Sequence, residues 1–226
     1  MSEPAEPPSA SSSSEDSGVL VSGVARGKWG IFLVVAALSL IADQATKIWA
    51  RGALPVVRPH GPAACIVPDD IVSRACFGHP VPVIDGFWEW RLSMNPGSAF
   101  GLFSSQNGAR IGLSVVGIIA VLGMVWMLRK ARSDQRILHW ALALVTGGAI
   151  GNLIDRIYFG VVTDFILWRY QTHEWPVFNV ADIVLVVGVG LMFIDIQKEG
   201  RREKQLKAGR AARAKAAGLV KPFGGK

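Results

Sequence analysis

The sequence predicts an all-α integral membrane protein, a bundle of four transmembrane helices with a small extracytoplasmic β element. Three observations support this prediction. Half of the 226 residues are hydrophobic, a share that is too high for an ordinary soluble domain. Four apolar runs are close to the length that crosses a hydrocarbon core of about 30 Å. One short segment, from Phe87 to Met94, alternates apolar with polar residues and indicates a half-exposed strand.

The chain begins with residues 1–27, which are rich in Ser, Pro, Glu and Gly and predict a disordered segment. The membrane domain is expected at residues 28–197, with its first span at about residues 29–49. That apolar run has some features of a secretory signal. No small-residue cleavage pattern follows it, so we interpret it as a retained span.

A long loop, residues 50–108, separates the first two spans and contains the predicted strand. Six prolines between residues 51 and 86 predict an irregular course. Asp85-Gly86 predicts a turn directly before the strand.

Three further spans complete the predicted bundle. Their expected bounds are about residues 111–128, 137–154 and 177–196. The loop between the last two spans, residues 155–176, carries Trp168, Tyr170 and Trp175, which are typical of an interfacial aromatic belt. A basic tail, residues 198–226, ends the chain.

The basic residues are unevenly distributed along the chain. Ten of the 24 Lys and Arg residues lie after Gln197, and the loop between the second and third spans is also basic. The positive-inside rule therefore places both termini in the cytoplasm and the loops 50–108 and 155–176 outside. A basic tail beside a span contacts anionic lipid more often than it binds nucleic acid, so we expect membrane lipid as a partner and no nucleic acid.

Two cysteines, Cys65 and Cys76, fall in the first outer loop, where a disulfide can persist. The sequence equally allows two unpaired apolar cysteines. Cys-x-x-Cys pairs are absent and the four histidines are scattered, so neither a metal site nor a cofactor is expected.

With this topology, polar side chains from four segments reach the outer membrane boundary. They are Asp43, Asn152, Asp155, Asp164, Asn179 and Asp182. Ionisable groups at this depth are costly and tend to mark function. Asn152, Asp155 and Arg156 share one helix face. Because Asp155 and Arg156 are sequence neighbours, we expect Arg156 to pair with a carboxylate elsewhere.

Two other patterns flank this layer. Asp43 and Lys47 are four residues apart, which fits either a local salt bridge at a helix end or support for the loop that follows. Gly147, Gly148 and Gly151 form a small-residue face that predicts close helix packing.

Asp164 and Asp182 are the candidates for chemistry. Two adjacent carboxylates cannot both ionise easily, so one keeps a proton. The ionised partner can take a proton from water and the protonated partner can donate to a leaving amine, which is peptide hydrolysis without a metal. Three alternatives stay open from the residues alone: each aspartate caps a turn, the pair relays protons in a small proton-coupled transporter, or the chain is a non-enzymatic scaffold.

Five motifs in these segments resemble the lipoprotein signal peptidase family, also called signal peptidase II. The resemblance covers about residues 29–196. The motifs are Asp43-Gln44-x-x-Lys47, Asn95-x-Gly97-x-Ala99-Phe100, Gly147-Gly148-Ala149-x-Gly151-Asn152-x-x-Asp155-Arg156, Val162-x-Asp164-Phe165 and Phe178-Asn179-x-Ala181-Asp182. The chain departs from the family at Pro96, where threonine is common, at Ser98, where alanine is common, and in the length of the segment from Lys47 to Asn95.

The resemblance implies a membrane aspartic peptidase that removes signal peptides from bacterial prolipoproteins. It implies cleavage on the amino side of a diacylglyceryl-modified cysteine, at the outer face of the bacterial inner membrane. We expect the protein to be a monomer. Asp164 and Asp182 match the catalytic pair of the family. The positions that match supporting or substrate-binding residues are Asp43, Lys47, Asn95, Gly97, Asn152, Asp155, Arg156, Asn179 and Ala181.

Overall fold

A computed structural model describes residues 15–59, 64–97 and 106–217. The helices are α1 (Glu15–Ala53), α2 (Asp69–Val72), α3 (Gln106–Lys130), α4 (Arg136–Tyr158) and α5 (Val180–Ala216). The strands are β1 (Val56–Val57), β2 (Phe77–Gly78), β3 (Val81–Ile84), β4 (Trp88–Asn95), β5 (Val162–Tyr170) and β6 (His173–Glu174). Within the described residues, four helices are long and apolar enough to cross a membrane: α1, α3, α4 and α5.

The central helix is α4, which contacts α1, α3 and α5. Glycines allow the close approach. A Cβ at Gly147 would lie 2.7 Å from the carbonyl oxygen of Ala36 in α1, and a Cβ at Gly148 would lie 2.7 Å from that of Ala181 in α5. The small-residue face predicted from the sequence therefore packs against two helices.

The outward faces of the long helices are apolar. Side chains that are more than half exposed include Leu33, Ile41, Ile119, Leu122, Val186 and Val189. A soluble protein rarely exposes so continuous an apolar surface, whereas hydrocarbon solvates it well. The four predicted spans are thus confirmed as helices suited to a membrane.

A four-stranded antiparallel sheet, in the order β3-β4-β5-β6, lies beside these helices. Strand β4 confirms the alternation predicted at Phe87 to Met94, since Leu92 and Met94 on the apolar side are buried. The turn predicted at Asp85-Gly86 precedes it, with Gly86 at φ +72°. The loop before that turn holds β1, α2, β2 and β3.

Strand β5 is a correction to the sequence analysis, which predicts a mixed loop over residues 155–176. It pairs with β4 in a register that sets Asp164 opposite Ser93. Its first six residues are all buried. Because both faces of this part of the strand are covered, the sequence lacks the alternation that signals a half-exposed strand.

Helices α1, α3 and α4 begin earlier and end later than the predicted spans, whereas α5 begins slightly later than predicted and ends well beyond residue 196. The disorder predicted for residues 1–27 is wrong for residues 15–27, which belong to α1, while residues 1–14 lie outside the described residues. No proline occurs between Glu15 and Ala53, and glycine alone costs a helix only about 1 kcal/mol. Likewise α5 carries the basic tail as helix as far as Ala216.

Aromatic side chains join the sheet to α1. The ring of Trp49 lies 5.4 Å from that of Trp90 in β4 and 6.1 Å from that of Phe165 in β5, both edge to face. Such pairs add about 0.5–1.5 kcal/mol each beyond their area burial. They hold the residue that follows Asp164 against the end of α1.

A disulfide joins Cys65 to Cys76, which resolves the alternative left open by the sequence. The two cysteines enclose α2, and an ion pair between Arg58 and Asp70 connects the same helix to the end of β1. This segment is therefore anchored at both ends of the short helix.

Candidate active site

The predicted site residues converge where α4 ends and α5 begins, beside β4 and β5. We call this the aspartate end of the long helices. Asp164 is the third residue of β5, and Asp182 is the third residue of α5. Asn152 and Asp155 lie in the last two turns of α4, and Asp43 and Lys47 lie in the last three turns of α1.

Asp164 is buried, with 2% of its surface exposed. Its Oδ1 accepts a 2.6 Å hydrogen bond from Nδ2 of Asn179, and its Oδ2 accepts a 3.1 Å bond from Nδ2 of Asn95. The pKa of this carboxyl is raised from 3.8 to about 7. Burial is the main cause of this rise, and the negative charge of Asp182 is the second. The hydrogen bonds from the side-chain amides of Asn179 and Asn95 lower the pKa and so oppose the rise.

Asp182 is held by the capping box that begins α5. Its backbone N–H donates to Oδ1 of Asn179 (3.1 Å), and its Oδ2 accepts from the backbone N–H of Asn179 (3.2 Å). Its Oδ1 accepts a 3.0 Å bond from Nδ2 of Asn152. The positive end of the helix dipole also favours a negative charge at this position.

Two asparagines connect the carboxylates. Nδ2 of Asn179 donates both to Asp164 and to Oδ1 of Asn152, the latter at 3.2 Å. The same Oδ1 accepts a 2.7 Å bond from the ammonium of Lys47. With its oxygen accepting from two donors, Asn152 presents its NH₂ group to Asp182.

Lys47 is fully buried, and its ammonium lies 2.9 Å from Oδ2 of Asp43 and 3.6 Å from Oδ2 of Asp155. Asp43 in turn accepts a 2.9 Å bond from the backbone N–H of Ala181. The Asp43–Lys47 pair is therefore both a local ion pair and a connection from α1 to α4 and α5. Gly151 leaves room for it, since a Cβ there would lie 2.3 Å from Oδ2 of Asp43.

Asp155 is turned away from the two aspartates. Its Oδ2 accepts a 2.8 Å bond from the backbone N–H of Thr163, and its Oδ1 lies 3.7 Å from the guanidinium of Arg51. Arg51 also donates to Oγ1 of Thr163 at 2.7 Å. These contacts fix the strand one residue before Asp164, as a supporting residue would; the supporting role itself stays a prediction.

Arg156 forms no direct salt bridge with a carboxylate of the described residues, although its charge attracts those of Asp182 and Asp164. Its guanidinium donates a 3.4 Å hydrogen bond to the carbonyl oxygen of Asn152. Asp155 cannot reach it, because the adjacent position on a helix points about 100° away. Amide groups already donate to Asp164 and Asp182.

Asn95 and Gly97 form a tight turn at the end of β4. The backbone N–H of Gly97 donates a 2.8 Å bond to Oδ1 of Asn95, which orients the amide nitrogen toward Asp164. Gly97 has φ +82°, a conformation that favours glycine. The remaining motif residues of this segment, Ala99 and Phe100, lie outside the described residues.

Sequence reasoning missed Arg51 and Thr163. Arg51 follows Lys47 by four residues and so shares its helix face, which was an available signal. No sequence signal pointed to Thr163, because its contacts with Arg51 and Asp155 depend on the pairing of β4 with β5. A cluster of three or more His, Cys, Asp or Glu side chains able to hold a metal does not occur among the described residues.

Residues 35–198 match the family model described as "Signal peptidase (SPase) II". The chain belongs to the signal peptidase II family. A lipoprotein signal peptidase of Geobacter metallireducens is 34% identical over 180 residues, covering 80% of this chain and 98% of that protein. One of Xanthomonas campestris pv. campestris (strain 8004) is 36% identical over 178 residues, covering 77% and 93%.

Two solved structures, both described as bacterial membrane enzymes, resemble this signal peptidase. The one at 2.3 Å resolution has a TM-score of 0.57 and 27% identity, and the match covers 76% of this chain and 90% of the other. The one at 1.9 Å has a TM-score of 0.59 and 26% identity, covering 74% and 92%. The predicted family and peptidase activity are confirmed, and none of these findings supports the transporter alternative.

Proposed function

We propose that this bacterial inner-membrane signal peptidase, which removes signal peptides from prolipoproteins, uses Asp164 and Asp182 as its catalytic carboxylates and water as the nucleophile. The coupling of the two carboxylates carries the proposal. Asn152 and Asn179 join the two carboxylates through hydrogen bonds, and the pKa of Asp164 is raised to about 7. Such a pair holds one proton near neutral pH.

The proposed reaction proceeds through this shared proton. At rest Asp164 holds the proton. The carboxylate of Asp182 takes a proton from the water whose oxygen attacks the scissile carbonyl carbon. The proton of Asp164 then passes to the leaving nitrogen as the C–N bond breaks. The products are a free acid and a free amine, and the pair again holds one proton, now on Asp182, which exchanges back to Asp164.

The supporting residues have separate proposed parts. Asn95, Asn152 and Asn179 orient the carboxylate oxygens, and Gly97 holds Asn95 in place. Asp43, Lys47, Asp155 and Ala181 fix the ends of α1, α4 and α5 relative to β5. The guanidinium of Arg156 binds a carbonyl group of the substrate; its lack of an ion pair among the described residues supports this part.

The substrate is proposed to be cut on the amino side of its diacylglyceryl-modified cysteine. The two acyl chains would keep the scissile bond at the membrane boundary. The enzyme then has only to orient a bond that is already close to its carboxylates.

The protein acts as a monomer, a four-helix bundle spanning residues 28–197. The loops 50–108 and 155–176 and the aspartate end lie outside, and both termini and the tail 198–226 lie in the cytoplasm. The Lys/Arg bias supports this orientation.

A cleavage assay tests the catalytic assignment. Purified protein in detergent is incubated with a diacylglyceryl-modified prolipoprotein, and the size shift is followed. Asp164→Asn and Asp182→Asn should each lose at least about a thousandfold in kcat, since each removes one partner of the acid–base pair. Asp195→Asn is the matched control, because Asp195 is also buried in α5 but lies far from the aspartate end.

The control should retain activity within about threefold. Cleavage that survives Asp164→Asn or Asp182→Asn, with the variant folded by circular dichroism, would remove that residue from the mechanism. Inhibition by a chelator would also contradict the metal-free reaction.

A further inference from the structure

A second candidate site lies at the opposite end of the long helices. There the start of α4 and the middle of α5 enclose a cleft of about 770 Å³, within the size range of ligand pockets. Asp182 is in the first turn of α5. At 1.5 Å per residue, Lys198 and Arg201 lie about 24 and 28 Å further along the helix. This is close to the thickness of a hydrocarbon core, about 30 Å.

The wall of the cleft changes from apolar to basic along the helix axis. Ile137, Phe193 and Ile194 form its apolar part, and Phe193 and Ile194 are 62% and 52% exposed. Lys198 and Arg201 form the basic part of α5. Ile194, Lys198 and Arg201 are spaced i, i+4, i+7 and therefore share one face of the helix.

Most acidic side chains in the cleft already have partners. Asp134 lies 3.1 Å from Arg132 and 2.5 Å from Arg202. Glu199 lies 2.7 Å from Arg132. Two arginines therefore neutralise two carboxylates. The third carboxylate, Asp195, is buried and accepts a hydrogen bond from Gln135.

Three cations of the cleft have no such partner. The side chains of Arg136, Lys198 and Arg201 are exposed, and within residues 15–59, 64–97 and 106–217 they form neither an ion pair nor a hydrogen bond. Arg136 is also the first residue of α4, where the helix dipole favours an anion. The cleft therefore has unpaired positive charge directly beside exposed apolar surface.

We propose that this cleft binds one anionic phospholipid. Its phosphate group contacts Arg136, Lys198 and Arg201, and its acyl chains lie along Ile137, Phe193 and Ile194. A zwitterionic lipid would bring a second, positive group to the same cations and bind less well. The adjoining apolar part favours a lipid over a free phosphate or a nucleic acid, since neither would cover Phe193 and Ile194. Basic pockets of this kind between membrane helices suit lipid headgroups.

Lipid titration of the full chain in detergent, followed by native mass spectrometry, tests the proposal. The probes are phosphatidylglycerol and phosphatidylcholine with identical acyl chains. Wild type should retain one phosphatidylglycerol with at least about tenfold higher affinity than phosphatidylcholine. The triple variant Arg136→Gln, Lys198→Gln, Arg201→Gln should lose this preference, and its melting temperature without lipid should match wild type because the three side chains are exposed.

A second triple variant is the matched control. Lys207→Gln, Arg210→Gln, Arg213→Gln removes the same charge from the part of α5 that extends at least about 9 Å beyond Arg201, and it should bind within about twofold of wild type. Equal loss in both variants would show diffuse attraction and overturn the site. So would equal affinity for the two lipids, or equal thermal stabilisation by inorganic phosphate or by a short single-stranded RNA. Prolipoprotein cleavage should continue in both variants, so this test is independent of the catalytic assignment.

Discussion

The ammonium of Lys47 donates a 2.7 Å hydrogen bond to Oδ1 of Asn152, a residue 105 positions later in the chain. Both side chains are buried. This bond determines which way the Asn152 amide faces, and so presents its NH₂ group to Asp182. A residue of α1 therefore orients a site that is formed mainly by α4, α5 and β5.

Lys47→Met should impair both stability and turnover. It leaves Asp43 without its cation in a buried setting, which costs about 3–5 kcal/mol, and it frees the Asn152 amide to rotate. We expect a large drop in melting temperature and a fall in kcat of about a hundredfold. The double variant Asp43→Asn, Lys47→Met removes both charges and should recover much of the melting temperature. If kcat recovered in parallel, Lys47 would be purely structural.

The raised pKa of Asp164 predicts a pH dependence of activity. The carboxyl holds its proton up to about pH 7, so kcat should decline above that pH as the pair loses the proton that the reaction needs. Asn95 donates a hydrogen bond that favours the charged form. Asn95→Ala should therefore move the alkaline decline to higher pH. A decline at unchanged pH in this variant would contradict the assignment of the proton to Asp164.

The same shift predicts a pH dependence of stability. The folded-state pKa lies above that of an unfolded aspartate, about 3.9, so the folded chain binds this proton more tightly. Its contribution to the free energy of unfolding then decreases as the pH rises from about 4 to 7. Asp164→Asn should melt progressively higher than wild type as the pH is raised from 5 to about 7. A constant difference between the two would show that burial does not control this group.

Gly151→Ala should destabilise the protein by about 2 kcal/mol, the usual cost of overpacking. The added Cβ would fall 2.3 Å from Oδ2 of Asp43 and separate α1 from α4. Gly190→Ala is the matched control, since α5 has open space around Gly190. There alanine should be neutral or stabilise by up to about 1 kcal/mol. Thermal unfolding in one detergent compares the two, and equal effects would refute the steric account.

Removing the disulfide should loosen the segment around α2 and leave the membrane helices intact. Cys65→Ser, Cys76→Ser takes away a cross-link whose loss costs about 2–4 kcal/mol in typical proteins. We expect faster amide exchange in residues 64–78, with exchange in α4 unchanged. Wild type treated with a reductant should reproduce the effect. Unchanged exchange in both cases would show that the Arg58–Asp70 pair and apolar packing hold this segment alone.

The sequence was sufficient for features that one segment determines by itself. Four apolar runs predicted four helices, and the alternation from Phe87 to Met94 predicted β4, because periodicity is a local property. The six consecutive buried residues that begin β5 have no such period. Their strand character depends on being covered on both faces, which only the folded chain reveals.

The sequence identified the residues of the site but not how their side chains are arranged. Asp164, Asp182 and the residues around them were identified because their motifs resemble those of a known family. Which partner each side chain takes depends on how the helices are rotated against one another. Arg156 was expected to pair with a carboxylate, whereas Lys47 and Arg51 of α1 supply the cations near Asp155. The Cys65–Cys76 bond likewise required the path of the chain around α2.

Because of the capping box at the start of α5, substitutions of the two aspartates should differ in their effect on protein abundance. Asp182 and Asn179 exchange the hydrogen bonds that begin the helix, so a substitution at either position changes protein abundance and turnover together. The side chain of Asp164 takes no part in the backbone pairing of its strand. In a deep mutational scan, position 164 should therefore separate expression from activity, whereas positions 179 and 182 should lose both at once.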